Sequence, residues 1–394
     1  MPTGPASCQG GSSVTGWPGP LDPDPNLPEP TLRRPSRARE RATRVVRALV
    51  VSVVLTGVAL VGGPGSALVP QAAVAAPQWP VPQPFPVTDD PPETLTDLPP
   101  GSEYVALGDS YSAGYGLANP TGLPVGACAQ SGRDYPHRIA ARFGLALTDV
   151  TCAGATSEDV RERTQWRGAP PQIEALSDST RLVTLTIGGN DADLFGTAAS
   201  CMALSASGPV FSGKNAPSCR STLDVDGVDT LGAKIESRVA LGIAETLADI
   251  RRAAPNATVL LLGYPAIFPD ADHTPERGCF RPAVDLGTLA GRFPSDTYPF
   301  TDTDVRWLHG IQEQLDEVGQ SAARAAGVRF VDVFDTTQAH SACARSGAYV
   351  SGVSLDSFGG FSSIDLEPGA LHPNTAGVRY LTGRLDAELR ELLG

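Results

Sequence analysis

Short aliphatic runs alternate along this chain with longer segments of helical period, and few folds accommodate that pattern. Residues 104–107, 182–187, 258–262 and 328–333 are β-branched or aliphatic, and a weaker run spans 147–150. Runs apolar on both faces read as strands buried on both sides of a sheet. Between and after them, Val239, Ile243, Leu247 and Ile250 share one helix face, as do Val305, Leu308, Ile311, Leu315 and Val318, and then Val378, Leu381, Leu385, Leu389 and Leu392. Their spacing is that of amphipathic helices. Asp304 is the expected N-cap of the second, which stops at Gly327, and Asn374 precedes the third. Strands alternating with helices imply a parallel sheet covered on both faces. The expected fold is an α/β, three-layer α/β/α sandwich with about five parallel strands at its centre.

Ahead of that domain the composition changes twice. Seven arginines from Arg33 to Arg47 precede an uncharged apolar run at 48–61, and small residues then accumulate up to Ala73-Val74-Ala75. This is the charged region, apolar region and A-x-A site of a signal peptide, so residues 1–75 are expected to be a leader cleaved near Ala75. The apolar run is short for a membrane span, and an uncleaved anchor is the competing reading. Both readings put the rest of the chain outside the cell. Residues 1–32, Pro-rich and without apolar periodicity, read as a disordered preface or as translation from a misplaced start. Residues 76–101 hold nine prolines, which deny the backbone helix and ladder hydrogen bonds, and read as a stiff linker. The folded domain is expected over 102–394.

Of the formal net charge of −13, residues 76–394 carry more than the whole, with 23 Lys and Arg against 39 Asp and Glu. So acidic a domain repels phosphate backbones, and nucleic acid is discounted as a partner. Six cysteines, Cys128, Cys152, Cys201, Cys219, Cys279 and Cys343, follow the leader. In an oxidising compartment an even number predicts three disulfides, with fifteen connectivities open. No C-x-x-C pair or Cys/His cluster of zinc spacing occurs, and neither metal nor cofactor is expected.

The run at 104–107 leads straight into Gly108-Asp109-Ser110-Tyr111-Ser112. Ser110 therefore stands past the carboxyl end of a strand, the edge of an open α/β sheet where ligands bind. A helix starting there would offer unpaired N–H groups to an oxyanion, although a serine in this position can equally be a plain N-cap. Three further blocks fall at comparable places. Gly154, in Cys152-Ala153-Gly154-Ala155-Thr156, offers an unhindered N–H, and Asn190, in Ile187-Gly188-Gly189-Asn190-Asp191, offers a side-chain amide. His372, ahead of the last helix, offers an imidazole able to deprotonate a serine.

In this order the four blocks resemble the SGNH hydrolase, or GDSL-type, family, named for Ser, Gly, Asn and His residues that fall here on Ser110, Gly154, Asn190 and His372. The resemblance covers roughly 102–394, and the phrases ALGDSYSAGYG and LTIGGND resemble the secreted bacterial lipase and esterase branch. It implies an acyl-enzyme mechanism on carboxylic esters, with Ser110 as nucleophile and His372 as base. The implied oxyanion hole is the backbone N–H of Ser110 and Gly154 with the side-chain amide of Asn190. It further implies three disulfides in sequential order: Cys128–Cys152, Cys201–Cys219 and Cys279–Cys343. No G-x-S-x-G elbow surrounds any serine of the domain, which argues against the α/β-hydrolase fold.

Two departures from the family pattern stand out. Tyr111 replaces a leucine, and Gly369 occupies the position three before the histidine where an aspartate is usual. A Ser–His dyad with a backbone carbonyl on the imidazole is the preferred reading, and Asp365 and Glu367 are the candidate third members. His340 is the runner-up base, His137, His273 and His309 read as surface or loop residues, and Asp109 as a turn-stabilising one. The aspartates of 224–229 lack the spacing of a calcium loop. The expected partner is an ester substrate, lipid or small acyl ester, and the chain is expected to be a monomer without a stable protein partner. A carbohydrate or phospholipid esterase, or a non-catalytic cell-surface binding domain, are the alternatives.

Overall fold

The computed structural model describes residues 97–211, 216–289, 291–358 and 364–394. The leader at 1–75 and most of the linker at 76–101 lie outside the described residues, and with them the signal-peptide and anchor readings. No helix among the described residues is long and apolar enough to cross a membrane.

Strands β1 (Glu103–Gly108), β2 (Ala146–Asp149), β3 (Thr180–Thr186), β4 (Thr258–Leu262) and β5 (Arg329–Val331) form one sheet in the order β2-β1-β3-β4-β5, every neighbouring pair parallel. The chain leaves β1 for one edge and returns to β1's other side with β3. A switch of direction between β1 and β3 opens a crevice at their carboxyl ends, where the Ser110 and Asn190 turns lie.

Helices follow in chain order as α1 (Ser110–Ala113), α2 (Tyr135–Phe143), α3 (Ser157–Arg161), α4 (Leu194–Ser200), α5 (Ala240–Ala253), α6 (Asp302–Ala325) and α7 (Thr375–Leu393), with shorter turns between them. Along β1, Tyr104 and Ala106 enter one core with Ile139 of α2 and Leu381 and Leu385 of α7. Val105 and Leu107 enter the other with Ile243 and Leu247 of α5 and Leu308 of α6. Alternate residues of one strand thus feed both layers, which is why the run at 104–107 does not alternate apolar with polar. Each valine, leucine or isoleucine so buried contributes about 1.5–3 kcal/mol.

The start of α6 corrects the sequence reading. Thr301, not Asp304, is its N-cap, its hydroxyl accepting from the Asp304 N–H at 3.0 Å. Asp304 serves the cap from within the first turn, accepting from the Thr301 hydroxyl and from the N–H groups of Cys219 and Arg220 at 2.8, 3.0 and 2.9 Å. A T-D-T-D run offers several residues able to cap, and burial chooses among them. Two histidines also differ from expectation. His137 lies on α2 and His309 on α6, both half-buried, the latter stacked on Phe334.

Disulfides join Cys128 to Cys152, Cys201 to Cys219 and Cys279 to Cys343. The first ties a loop to the turn after β2 that carries Gly154, where the Cys152 N–H also bonds the Gly108 carbonyl at 3.0 Å. Residues 224–229 form a hairpin in which Asp224 accepts from Arg220 at 3.0 Å and Asp229 from Trp307 Nε1 at 2.7 Å.

Candidate active site

Ser110 opens α1 without capping it. The cap is Asp109, whose Oδ1 accepts from the Tyr111 N–H at 2.9 Å. The serine hydroxyl is thereby left for another partner. Gly108 takes φ +125°, and a Cβ there would meet the Thr186 carbonyl at 2.4 Å, so only glycine allows β1 and β3 to part this closely. Gln172 pins the same residue, accepting from its N–H at 2.7 Å and donating to its carbonyl at 3.0 Å.

The Ser110 hydroxyl donates to His372 Nε2 at 2.7 Å, and His372 Nδ1–H donates to the Ala370 carbonyl at 2.7 Å. A carbonyl can only accept, so it holds the ring proton on Nδ1 and turns the Nε2 lone pair toward the serine. His372 is 5 % exposed, enclosed by Tyr111, Tyr115 and Phe195 at ring distances of 4.9, 5.0 and 5.1 Å. Burial pushes its pKa down to about 4, against the opposing pull of the Ala370 bond. The imidazole is therefore neutral at neutral pH, the state a general base requires.

Neither candidate acid bonds to this ring. Both Asp365 and Glu367 are exposed, and Asp365 accepts from Ser357 at 2.6 Å within the hairpin of Leu355–Phe358 and Ile364–Leu366. The backbone explains why Gly369 stands in the usual aspartate position. It has φ +92° and lies so close to Gly116 that a Cβ on Gly116 would fall 2.4 Å from the Gly369 Cα. Leu371 is itself left-handed at φ +59°, a conformation that costs a non-glycine residue about 1–3 kcal/mol. Tyr111, the other departure, holds that strained residue: its hydroxyl donates to the Leu371 carbonyl at 2.6 Å. His340 is occupied elsewhere, bonding the Gly347 carbonyl at 2.7 Å and stacking on Tyr349 at 4.1 Å.

The N–H groups of Ser110 and Gly154 meet no acceptor among the described residues. Asn190 Nδ2 spends one hydrogen on the Ala155 carbonyl at 3.1 Å and keeps a second. Three donors of this kind suit the charge that develops on a carbonyl oxygen.

Besides Gln172, two supports escaped the sequence reading. Asp191 accepts from the Ser157 N–H and hydroxyl at 2.8 and 2.5 Å, tying the Asn190 turn to the start of α3, three residues beyond Gly154. Tyr264, just past β4, donates to Asp109 Oδ2 at 2.5 Å and accepts from the Gly189 N–H at 2.9 Å. It thereby links the Ser110 and Asn190 turns. Burial raises the Asp109 pKa to about 7 despite these bonds. A polar residue directly after a strand is the signal that could have found Tyr264; Gln172 has none.

An apolar cleft leads away from Ser110 and Asn190 between Phe195, Phe268, Leu308, Ile311 and Leu315. A doubly covered parallel sheet with an imidazole-bonded serine at its carboxyl edge, flanked by the Gly154 and Asn190 turns, fits the SGNH class of ester hydrolase. The GDSL-like lipase/acylhydrolase family matches residues 106–380, and the chain belongs to that family. Lipase 2 of Streptomyces coelicolor is 38 % identical over 250 residues, covering 63 % of this chain and 75 % of the relative. An esterase of Streptomyces scabiei is 29 % identical over 309 residues, 73 % of this chain and 86 % of the relative. The crystal structure of phospholipase A1 from Streptomyces albidoflavus superposes with a TM-score of 0.51 at 25 % identity, covering 73 % of this chain and 99 % of that one. The protein is a carboxylic ester hydrolase.

Proposed function

We propose that the protein is an exported, monomeric esterase of lipids, in which Ser110 is acylated and His372 is the base. The observation that carries this reading is the 2.7 Å bond from the Ser110 hydroxyl to a buried, neutral imidazole. Ser110 Oγ attacks the ester carbonyl as its proton passes to His372 Nε2. The oxyanion is received by the Ser110 and Gly154 N–H groups and the Asn190 amide. Collapse expels the alcohol, which takes the proton from His372, and water then attacks the acyl-enzyme with the same base. The positive ring formed in each attack is stabilised by the Ala370 carbonyl, with no carboxylate in that role.

The apolar cleft beside Ser110 favours an acyl chain over an acetyl group, since burying each methylene contributes about 0.8 kcal/mol. The expected result with p-nitrophenyl esters is a kcat/KM that rises from acetate through octanoate, with phosphatidylcholine hydrolysed and acetyl-xylan untouched. A profile that peaks at acetate contradicts the lipid assignment.

The pH profile reports on the base. A histidine of lowered pKa keeps its lone pair until the pH falls through about 4, so the acid limb of kcat/KM is expected near there and not near the ordinary 6.5. Export rests on the arginine-rich leader and its A-x-A site. Sequencing the N-terminus of protein recovered from culture medium tests it, with a start just after Ala75 expected.

A further inference from the structure

Among the described residues, Asp134, His137 and Asp149 form a group whose potential ligand atoms all lie within 4.8 Å of one another. Asp134 caps α2 and is fully buried, Asp149 ends β2 with its side chain 5 % exposed, and His137 closes over them from the first turn of α2. Each carboxylate spends one oxygen on nearby backbone. Asp134 Oδ1 accepts from the His137 N–H at 2.8 Å, and Asp149 Oδ1 accepts from the Thr151 N–H and hydroxyl at 3.0 and 2.7 Å. The other oxygen of each, Oδ2, is buried with no hydrogen-bond partner.

A protonated imidazole satisfies only part of this arrangement. Its Nδ1 lies 2.8 Å from Asp134 Oδ1, the oxygen already supplied, and 3.4 Å from Asp149 Oδ2, beyond a good hydrogen bond. Asp134 Oδ2 is left with nothing, and a buried carboxylate oxygen without a partner is costly.

We propose that Asp134 Oδ2, Asp149 Oδ2 and His137 Nδ1 bind one divalent transition-metal ion, for which Zn²⁺ is the reference. Ligands held about 2.0–2.2 Å from a tetrahedral ion sit roughly 3.3 Å from each other, the scale of the 3.4 Å between His137 Nδ1 and Asp149 Oδ2. Two carboxylates offset the charge of the ion. One nitrogen with two oxygens suits zinc or manganese better than calcium, which takes six to eight oxygens. His137, one-third exposed, leaves a side at which water completes the coordination. The ion is structural: it fastens the edge strand β2 to α2, whose Tyr135 hydroxyl bonds Ser112 of α1 at 2.7 Å. No spacing signature announces such a site, because its third ligand arrives from a neighbouring strand.

The full chain, stripped with a chelator and dialysed against micromolar Zn²⁺, is expected to retain one ion per chain and to gain several degrees in Tm. Asp149→Asn and His137→Gln lose both effects. Should a variant fail to fold, Co²⁺ on the wild-type chain answers the same question through the intense visible bands of a tetrahedral ion. Zn²⁺ retention no greater than that of His137→Gln, an unmoved Tm, or a Co²⁺ spectrum identical to that of the aqueous ion would overturn the proposal. The cluster would then be a charged imidazole paired with two carboxylates.

Discussion

Replacing His372 with Gln lowers kcat/KM on p-nitrophenyl butyrate by about 10⁴-fold or more, the scale on which nucleophile–base pairs fail when one member is removed. Glutamine keeps polarity and rough volume but cannot take a proton from Ser110. Its amide also cannot reproduce the pair of 2.7 Å bonds that runs from Ser110 through the ring to Ala370. The loss falls on kcat, since neither bond contributes to the apolar cleft. The companion result is a near absence of effect: Asp365→Ala with Glu367→Ala stays within about threefold of wild type, because neither exposed carboxylate bonds the imidazole. A loss of several orders of magnitude in that double variant would mean that a carboxylate joins His372 during turnover, and the dyad reading would fail.

Asn190→Ala lowers kcat by about 10²–10³-fold with little change in KM, as expected when one oxyanion donor is removed. In the proposed mechanism the asparagine meets charge that exists only after Ser110 attacks, so the ground-state ester scarcely registers the change. Its position depends on neighbours that touch no substrate. Ala155 takes its other hydrogen, Asp191 anchors the turn to Ser157, and Tyr264 holds Gly189. An equal rise in KM with unchanged kcat would assign Asn190 to substrate binding instead.

Much of the fold and of the site is legible in the sequence, for physical reasons. Strands buried on both faces exclude charge and favour aliphatic or β-branched residues, so the runs at 104–107, 182–187 and 258–262 are visible as such and correspond to β1, β3 and β4. Ligands gather where strands of a parallel sheet end, and that gave Ser110 and Asn190 a meaning beyond turn chemistry. The rest depends on contacts between segments distant in the chain. Gln172 clamps Gly108 across 64 residues and Tyr264 reaches Asp109 across 155, and no local pattern encodes either. The glycine at 369, where an aspartate is usual, points in the sequence to a Ser–His dyad, but its packing cause is not local: a left-handed backbone pressed against Gly116, leading into a strained Leu371 held by the hydroxyl of Tyr111. The cap of α6 failed for the opposite reason, since Thr301 and Asp304 are both competent locally and only the buried contacts to Cys219 and Arg220 separate their roles.

The central claim is that Ser110 carries the acyl group. Incubating the protein with a p-nitrophenyl alkylphosphonate, which phosphonylates an activated serine as p-nitrophenol departs, measures this directly. Intact mass is expected to show one adduct per chain, peptide mapping to place it on Ser110, and Ser110→Ala to show neither adduct nor ester hydrolysis above background. An adduct on another residue, or equal hydrolysis by wild type and Ser110→Ala, would contradict the account.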